Sequence, residues 1–359
     1  MATSAPPLLD EGYPYPVLLP LVRQCLDRGV SVLLRGHPGV GKSALAAELA
    51  GQMSRPIIDI RLAQKDPAEL AGVYIPNREK RLLELYPPDW VQQACEAPAF
   101  IFLDEMNAAV TKLHQSASYQ IVLEHRVGPF TFHPETVVLA AGNLEEDEAL
   151  AVPLSSALRN RFAHYILRVD ADAWITWATS RSLSPDIVAY IAFRREPGLY
   201  KMTGEYAFPT PRSWTMAAQV DGDRLPDQQR KRLLTACVGP SAANEFQTFH
   251  RIYRQVDVEA ILKHGQIPSL TNAEPGFLYA LTFAVVHLLR ARGLPQAHCP
   301  HLLSLLQAPG FSPEFQALLV KNLEGTKAFT TLFETPIFIP VKDRLLKLFT
   351  SVYAQAQAA

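Results

Sequence analysis

An excess of charge is missing from this 359-residue chain: 34 Lys and Arg stand against 35 Asp and Glu, for a formal net charge of −1. That balance removes the general electrostatic drive toward nonspecific nucleic-acid binding, although a local basic strip would still be compatible with it. Cysteine is scarce. Cys25, Cys95, Cys237 and Cys299 lie far apart and lack the paired spacing of a metal site, so free thiols in a reducing compartment are expected. The opening MATSAPPLLDEGYPYP has neither a basic n-region nor a long apolar run, and does not read as a signal peptide. The most membrane-like stretch, Phe277 to Leu289, falls short of the ~20 residues needed to cross a bilayer and contains His287. It reads as a buried helix, with no membrane insertion and a cytoplasmic location expected. Internal repeats and low-complexity linkers are also absent.

What is present is 48% hydrophobic residues in a chain long enough for two or three cores. The first half alternates short β-rich runs with helical patterns, the signature of a parallel α/β layer. The runs Val30 to Leu34, Pro56 to Ile60, Ala99 to Leu103, Thr136 to Ala141 and His164 to Val169 are the expected strands. Asp66-Pro67-Ala68-Glu69 has the order of a capping box with proline at the first helical position. Gly72 to Leu85 reads as a hairpin or an inserted loop, Lys112 to Glu124 as a helix, and Arg126 to Phe132 as a projecting hairpin. After Asp170 helical periodicity takes over, as in Asp186–Arg194, Pro211–Val220 and Gln228–Cys237. Further helices are expected at Phe277–Arg290, Ser312–Leu323 and Val341–Gln355. The expected fold is a P-loop α/β parallel-sheet domain over residues 1–171, an all-helical lid domain over 172–267, and a helical C-terminal extension over 268–359.

Gly36-His37-Pro38-Gly39-Val40-Gly41-Lys42-Ser43 fits the phosphate-loop pattern G-x-x-x-x-G-K-S without a gap. A strand precedes it and an alanine-rich helix, Ser43 to Met53, follows it, with Ala44 expected to join the nucleotide-binding loop residues. Glycines let backbone N–H groups turn inward around phosphate oxygens, and the helix start offers unpaired N–H groups to the anion. Lys42 is expected to reach the β- and γ-phosphates of ATP, and Ser43 to supply a hydroxyl ligand to Mg²⁺. His37 occupies a variable position of the loop. Ala99 to Leu103 then delivers Asp104 and Glu105 to a strand's C-terminal end, where open parallel sheets bind ligands. Asp104 would hold magnesium through its water shell, and Glu105 would polarise the attacking water. Gly142-Asn143 closes the next strand with an amide placed to orient that water. Arg159 and Arg161 follow near the end of a short helix.

With these elements in order, the chain resembles an AAA+ ATPase, and more specifically the MoxR-type family. The resemblance rests on GHPGVGKS, DPAELAG, FIFLDEMNAA, the VVLAAGN run, LRNRF and FPTPRSW, spanning Val30 to Trp214. It implies that Asn143 is the sensor-1 residue and that Arg161 is an arginine finger acting on a neighbour's nucleotide, with Arg159 as a second basic residue at the subunit boundary. It implies that Arg212 is the sensor-2 arginine of the lid. Gly72–Leu85 would be the insert in helix 2, and Arg126–His133 the hairpin before sensor 1, loops that line or cap the pore in related rings. It further implies a homo-oligomer, a hexamer by analogy, that remodels or activates a protein client, often beside a partner containing a von Willebrand factor A domain. The helices beyond the lid are a departure from the family pattern.

Two other functions fit the same motifs: a nucleic-acid-directed motor subunit, and a nucleotide-gated scaffold with slow hydrolysis. Arg78, Lys80, Arg81 and Arg126 are the basic residues available to the first of these. His298-Cys299-Pro300-His301 gathers three zinc-capable side chains too close together to complete a structural site, and reads as a helix start. Trp174, Trp177 and Trp214 read as core or interface residues.

Overall fold

The computed structural model describes residues 12–107, 111–144, 154–221, 225–339, 341–345 and 347. The opening segment through residue 11 and most of the expected helix Val341–Gln355 lie outside them. The chain divides into two compact units, Met1–Asp170 and Ala171–Ala359.

The first unit is built on five parallel strands: β1 (Val32–Arg35), β2 (Ile57–Arg61), β3 (Phe100–Asp104), β4 (Val137–Gly142) and β5 (Ala163–Ile166). Their spatial order is β2-β3-β4-β1-β5. The hydrophobic pattern follows from that order. β3 and β4 lie between neighbours and are covered on both faces, so Phe100 to Leu103 and Val137 to Gly142 are buried throughout. β2 is an edge strand and alternates, with Ile58 and Ile60 inward while Ile57, Asp59 and Arg61 are exposed. The ends of β1 and β4 are level, with Arg35 opposite Gly142, while Leu103 of β3 faces Ala140. Three adjacent strands therefore finish side by side at one rim of the sheet.

One face of the sheet carries Leu33, Ile60, Ile101, Leu103 and Ala140 into a core completed by Met106, Ile121, Leu158 and Phe162. The capping box at Asp66 forms as the sequence requires: Asp66 accepts from the Ala68 N–H at 2.9 Å, and Glu69 accepts from the Asp66 N–H at 2.9 Å. Two antiparallel hairpins project from the unit, Val73–Asn77 with Leu82–Tyr86, and Arg126–Val127 with Phe130–Thr131. The helix expected over Lys112–Glu124 is α-helical only to Tyr119. Its last turn, Gln120–Glu124, widens to a π-turn that ends at His125 with φ 47°.

The second unit is helical among its described residues. Pro275–Arg292 packs on Pro185–Arg194 and on Pro313–Leu323. Leu281, Val285, Leu302, Leu305 and Leu319 form its centre. The separately expected helix Gln228–Cys237 and the run after Ser241 form one element, Asp227–Tyr253, kinked at Gly239, where φ is 83° and Pro240 follows. Trp214 and Trp174 are buried, whereas Trp177 is 41% exposed and so is not a core residue of the unit. Cys299 opens helix Cys299–Gln307, with His301 Nδ1 on the Leu262 carbonyl at 2.8 Å. Among the described residues no helix is long and apolar enough to cross a membrane.

Candidate active site at the sheet rim

The loop Gly36–Gly41 leaves the end of β1 and turns into helix Lys42–Gln52. Gly39 and Gly41 take φ values of 78° and 111°, conformations that a side chain would oppose. No side chain caps this helix at Gly41. A helix start that follows a glycine-rich loop is the arrangement that binds anions.

Lys42 is a buried cation, 8% exposed. Its Nζ donates to the Gly36 carbonyl at 2.6 Å, the His37 carbonyl at 3.0 Å and Asn143 Oδ1 at 2.8 Å. The loop, β1 and the end of β4 thus converge on one ammonium group. Beside it, Ser43 Oγ donates to Asp104 Oδ2 at 3.0 Å. These two hard oxygens sit at roughly the spacing of neighbouring ligands around an octahedral magnesium ion with ligand distances of about 2.1 Å. Among the described residues no three His, Cys, Asp or Glu side chains gather into a metal cage. A hydroxyl and one carboxylate fit an ion whose shell is completed by water and substrate phosphates.

Glu105 follows with φ 57°, a left-handed conformation uncommon for a residue with a side chain. Its N–H is taken by Asp104 Oδ1 at 2.9 Å. Strained backbone of this kind concentrates at functional sites.

The sequence-predicted residues Gly36 to Ala44, Asp104, Glu105 and Asn143 therefore share the rim, and direct bonds join Lys42 to Asn143 and Ser43 to Asp104. Arg159 is the last residue of helix Ser156–Arg159 in the same unit, and Arg161 follows just beyond its C-cap Asn160. Arg159 is exposed. Arg161 donates to the Ala157 carbonyl at 2.6 Å and lies 4.7 Å from the Tyr119 ring centroid. Arg212 is the second residue of helix Pro211–Val220 in the other unit; the helix is capped by Thr210 and Ser213.

Sequence reasoning missed two participants. Asn107 bonds both ways to the main chain of Asn143, and Tyr119 carries the Arg161 guanidinium on its ring. Asn107 stands in plain view in Asp104-Glu105-Met106-Asn107. Nothing local marks it, because its partner lies 36 residues away.

Residues 32–168 match the family described as "ATPase family associated with various cellular activities (AAA)". A mouse protein, nuclear valosin-containing protein-like, is 36% identical over 81 residues, which are 23% of this chain and 8% of that protein. The chain thus spans only a small part of that relative's length. Among solved structures, NtrX from Brucella abortus in complex with ADP is 12% identical, covering 70% of this chain and 65% of its own, with a TM-score of 0.36. A mutant RuvB from Thermotoga maritima is 15% identical, covering 90% and 88%, with a TM-score of 0.33.

Proposed function

We propose that this chain, whose residues 32–168 match the AAA ATPase family, is a Mg²⁺-dependent ATP phosphohydrolase of MoxR type that works as a closed ring on a protein client. One observation carries the hydrolytic part: Lys42, Ser43, Asp104, Glu105 and Asn143 converge at one sheet rim, with Lys42 Nζ 2.8 Å from Asn143 Oδ1 and Ser43 Oγ 3.0 Å from Asp104 Oδ2. Lys42 and the N–H groups of the loop bind the phosphates, and Ser43 and Asp104 hold the ion. Magnesium, when bound, neutralises charge developing on the phosphate oxygens. Glu105 accepts a proton from the attacking water, and the Asn143 amide orients that water.

The ring rests on Arg161, which the family resemblance makes an arginine finger and which contacts Ala157 and Tyr119. A guanidinium so placed serves a neighbour's nucleotide, and a repeated head-to-tail contact must close or polymerise. Arg159, exposed beside it, is the alternative donor, and the family resemblance makes Arg212 a sensor-2 arginine. Six subunits follow from the family resemblance, as do a von Willebrand factor A partner and a cytoplasmic setting.

A protein client is favoured over nucleic acid by the longer hairpin. Tyr74, Leu83, Val73 and Tyr86 are each more than half exposed there, and Lys80 is already paired with Glu84 at 2.7 Å. An apolar projection of this kind suits an unfolded or remodelled polypeptide better than a phosphate backbone.

Mixing Lys42→Ala subunits with Arg161→Ala subunits tests the shared site. Mixed assemblies should regain turnover that neither variant shows alone. Absence of rescue in assemblies confirmed as mixed by native mass spectrometry would sink the shared site. Nucleic-acid-stimulated turnover in the wild type would favour the motor reading instead.

A further inference from the structure

We propose that Asn107 is a positioning residue for hydrolysis, locking the turn that carries Asp104 and Glu105 to the strand end that carries Asn143. This rests on the hydrolytic reading above and adds a part to it. The Asn107 side-chain amide uses both its halves on a single residue. Nδ2 donates to the Asn143 carbonyl at 2.9 Å, and Oδ1 accepts from the Asn143 N–H at 3.0 Å. Such a two-point contact fixes the peptide planes on either side of Asn143, and with them the direction of its side chain. Asn143 Oδ1 then meets Lys42 Nζ at 2.8 Å. One further tie runs parallel to the first, from the Met106 N–H to the Ala141 carbonyl at 2.8 Å. Glu105, in its left-handed turn, immediately precedes these two residues. The carboxylate that activates water and the amide that orients it are thereby held as one rigid piece.

Gly142 supplies an independent observation. Its backbone lies outside the left-handed region, so conformation alone does not call for glycine. A Cβ placed there would lie 2.5 Å from Asn107 Oδ1 and 3.2 Å from its Cγ. The three atoms nearest that Cβ all belong to Asn107. The close approach of Asn107 thus opposes a side chain at 142 unless Asn107 moves. The side chain is packed into this place as well as bonded there.

A double-mutant cycle over Asn107→Ala and Gly142→Ala tests the proposal on the full-length protein. Three readouts are needed: kcat and KM for ATP, affinity for a fluorescent ATP analogue, and thermal unfolding. Asn107→Ala should lower kcat by about 10- to 100-fold, the range typical when an outer partner of an active-site group is removed. KM and analogue affinity should stay within about threefold, because the phosphate loop is untouched. Gly142→Ala should lower kcat in the wild-type background by displacing Asn107. In the Asn107→Ala background it should cost almost nothing further, since the obstructed atoms are gone. Asn107→Asp keeps the shape and one of the two bonds but cannot donate to the Asn143 carbonyl; it gives the same split if the alanine variant does not fold. The proposal is overturned if kcat is unchanged in Asn107→Ala, if binding and stability fall in step with kcat, or if the two losses multiply. Wild-type protein that binds the analogue but never cleaves ATP would overturn the hydrolytic reading itself. Active wild type with an equally active Asn107→Ala would overturn only the role of Asn107.

Discussion

The second unit contains a buried charge network whose loss should be readable by calorimetry. Asp186 is 4% exposed and accepts from Ser184 Oγ at 2.7 Å, the Ile187 N–H at 2.9 Å, Arg230 Nη2 at 2.6 Å and His250 Nδ1 at 2.7 Å. Burial by itself would push its carboxyl up. The His250 hydrogen bond and the Arg230 charge more than offset that, and hold it well below the ordinary carboxylate range. Asp186→Asn keeps the shape and removes the charge. Deleting one partner of a buried pair costs roughly 3–5 kcal/mol. Arg230 retains Asp221, to which its Nε donates at 2.6 Å, so the low end of about 3 kcal/mol is expected. For a unit of this size each kcal/mol shifts Tm by about 2–4 °C, which gives a drop of roughly 6–12 °C at pH 7. The pH dependence has a definite sign. A carboxylate with a depressed folded pKa contributes stability that is fully present above its unfolded value near 4, and that is lost as pH falls through the folded value. The gap between wild type and Asp186→Asn should therefore shrink steadily below pH 4. A Tm difference under about 2 °C at pH 7, or an equal difference at pH 3 and pH 7, would refute the reasoning.

Lys42→Ala should lose measurable affinity for a fluorescent ATP analogue in the presence of magnesium, since a buried ammonium between loop and strand end is removed; unchanged titration curves would deny Lys42 its role. Arg161→Ala should reduce turnover by roughly 10³- to 10⁵-fold without weakening nucleotide binding, and Arg159→Ala compared in parallel decides which guanidinium crosses to the neighbour. Gly239→Ala should destabilise the second unit by more than about 2 kcal/mol, measured by thermal unfolding, because φ is 83° there and a Cβ would lie 2.2 Å from the Ala207 carbonyl oxygen.

The sheet was readable from sequence because burial on both faces leaves a continuous apolar run, as in Phe100–Leu103 and Val137–Ala141. Boundaries moved by one to three residues: the first strand, expected over Val30–Leu34, runs Val32–Arg35, and the last, expected to Val169, ends at Ile166. The phosphate loop and the carboxylate pair were legible because each is contiguous, and its chemistry demands fixed residue types at fixed spacing. Contacts between distant segments were not. Asn107 bonding Asn143, Tyr119 under Arg161 and Asp186 against Arg230 each join segments that no local pattern connects. The π-turn at Gln120–Glu124 escaped for a related reason. Its apolar spacing is that of an α-helix, and the register change shows only in its hydrogen bonds. The kink at Gly239 had its signal in Gly239-Pro240, yet the helix resumes at once, so a break in the pattern did not separate two elements.

The hydrolytic claim stands most directly on single-turnover cleavage of ATP by wild type and Glu105→Gln at saturating protein. The substitution keeps the shape of the side chain beside Asp104 and removes its negative charge. Glu105→Gln should bind ATP with wild-type affinity and cleave it about 10²- to 10⁴-fold more slowly, the range attributed to a positioned general base. Cleavage at the wild-type rate would contradict the account, and would require another group at the rim to activate the water.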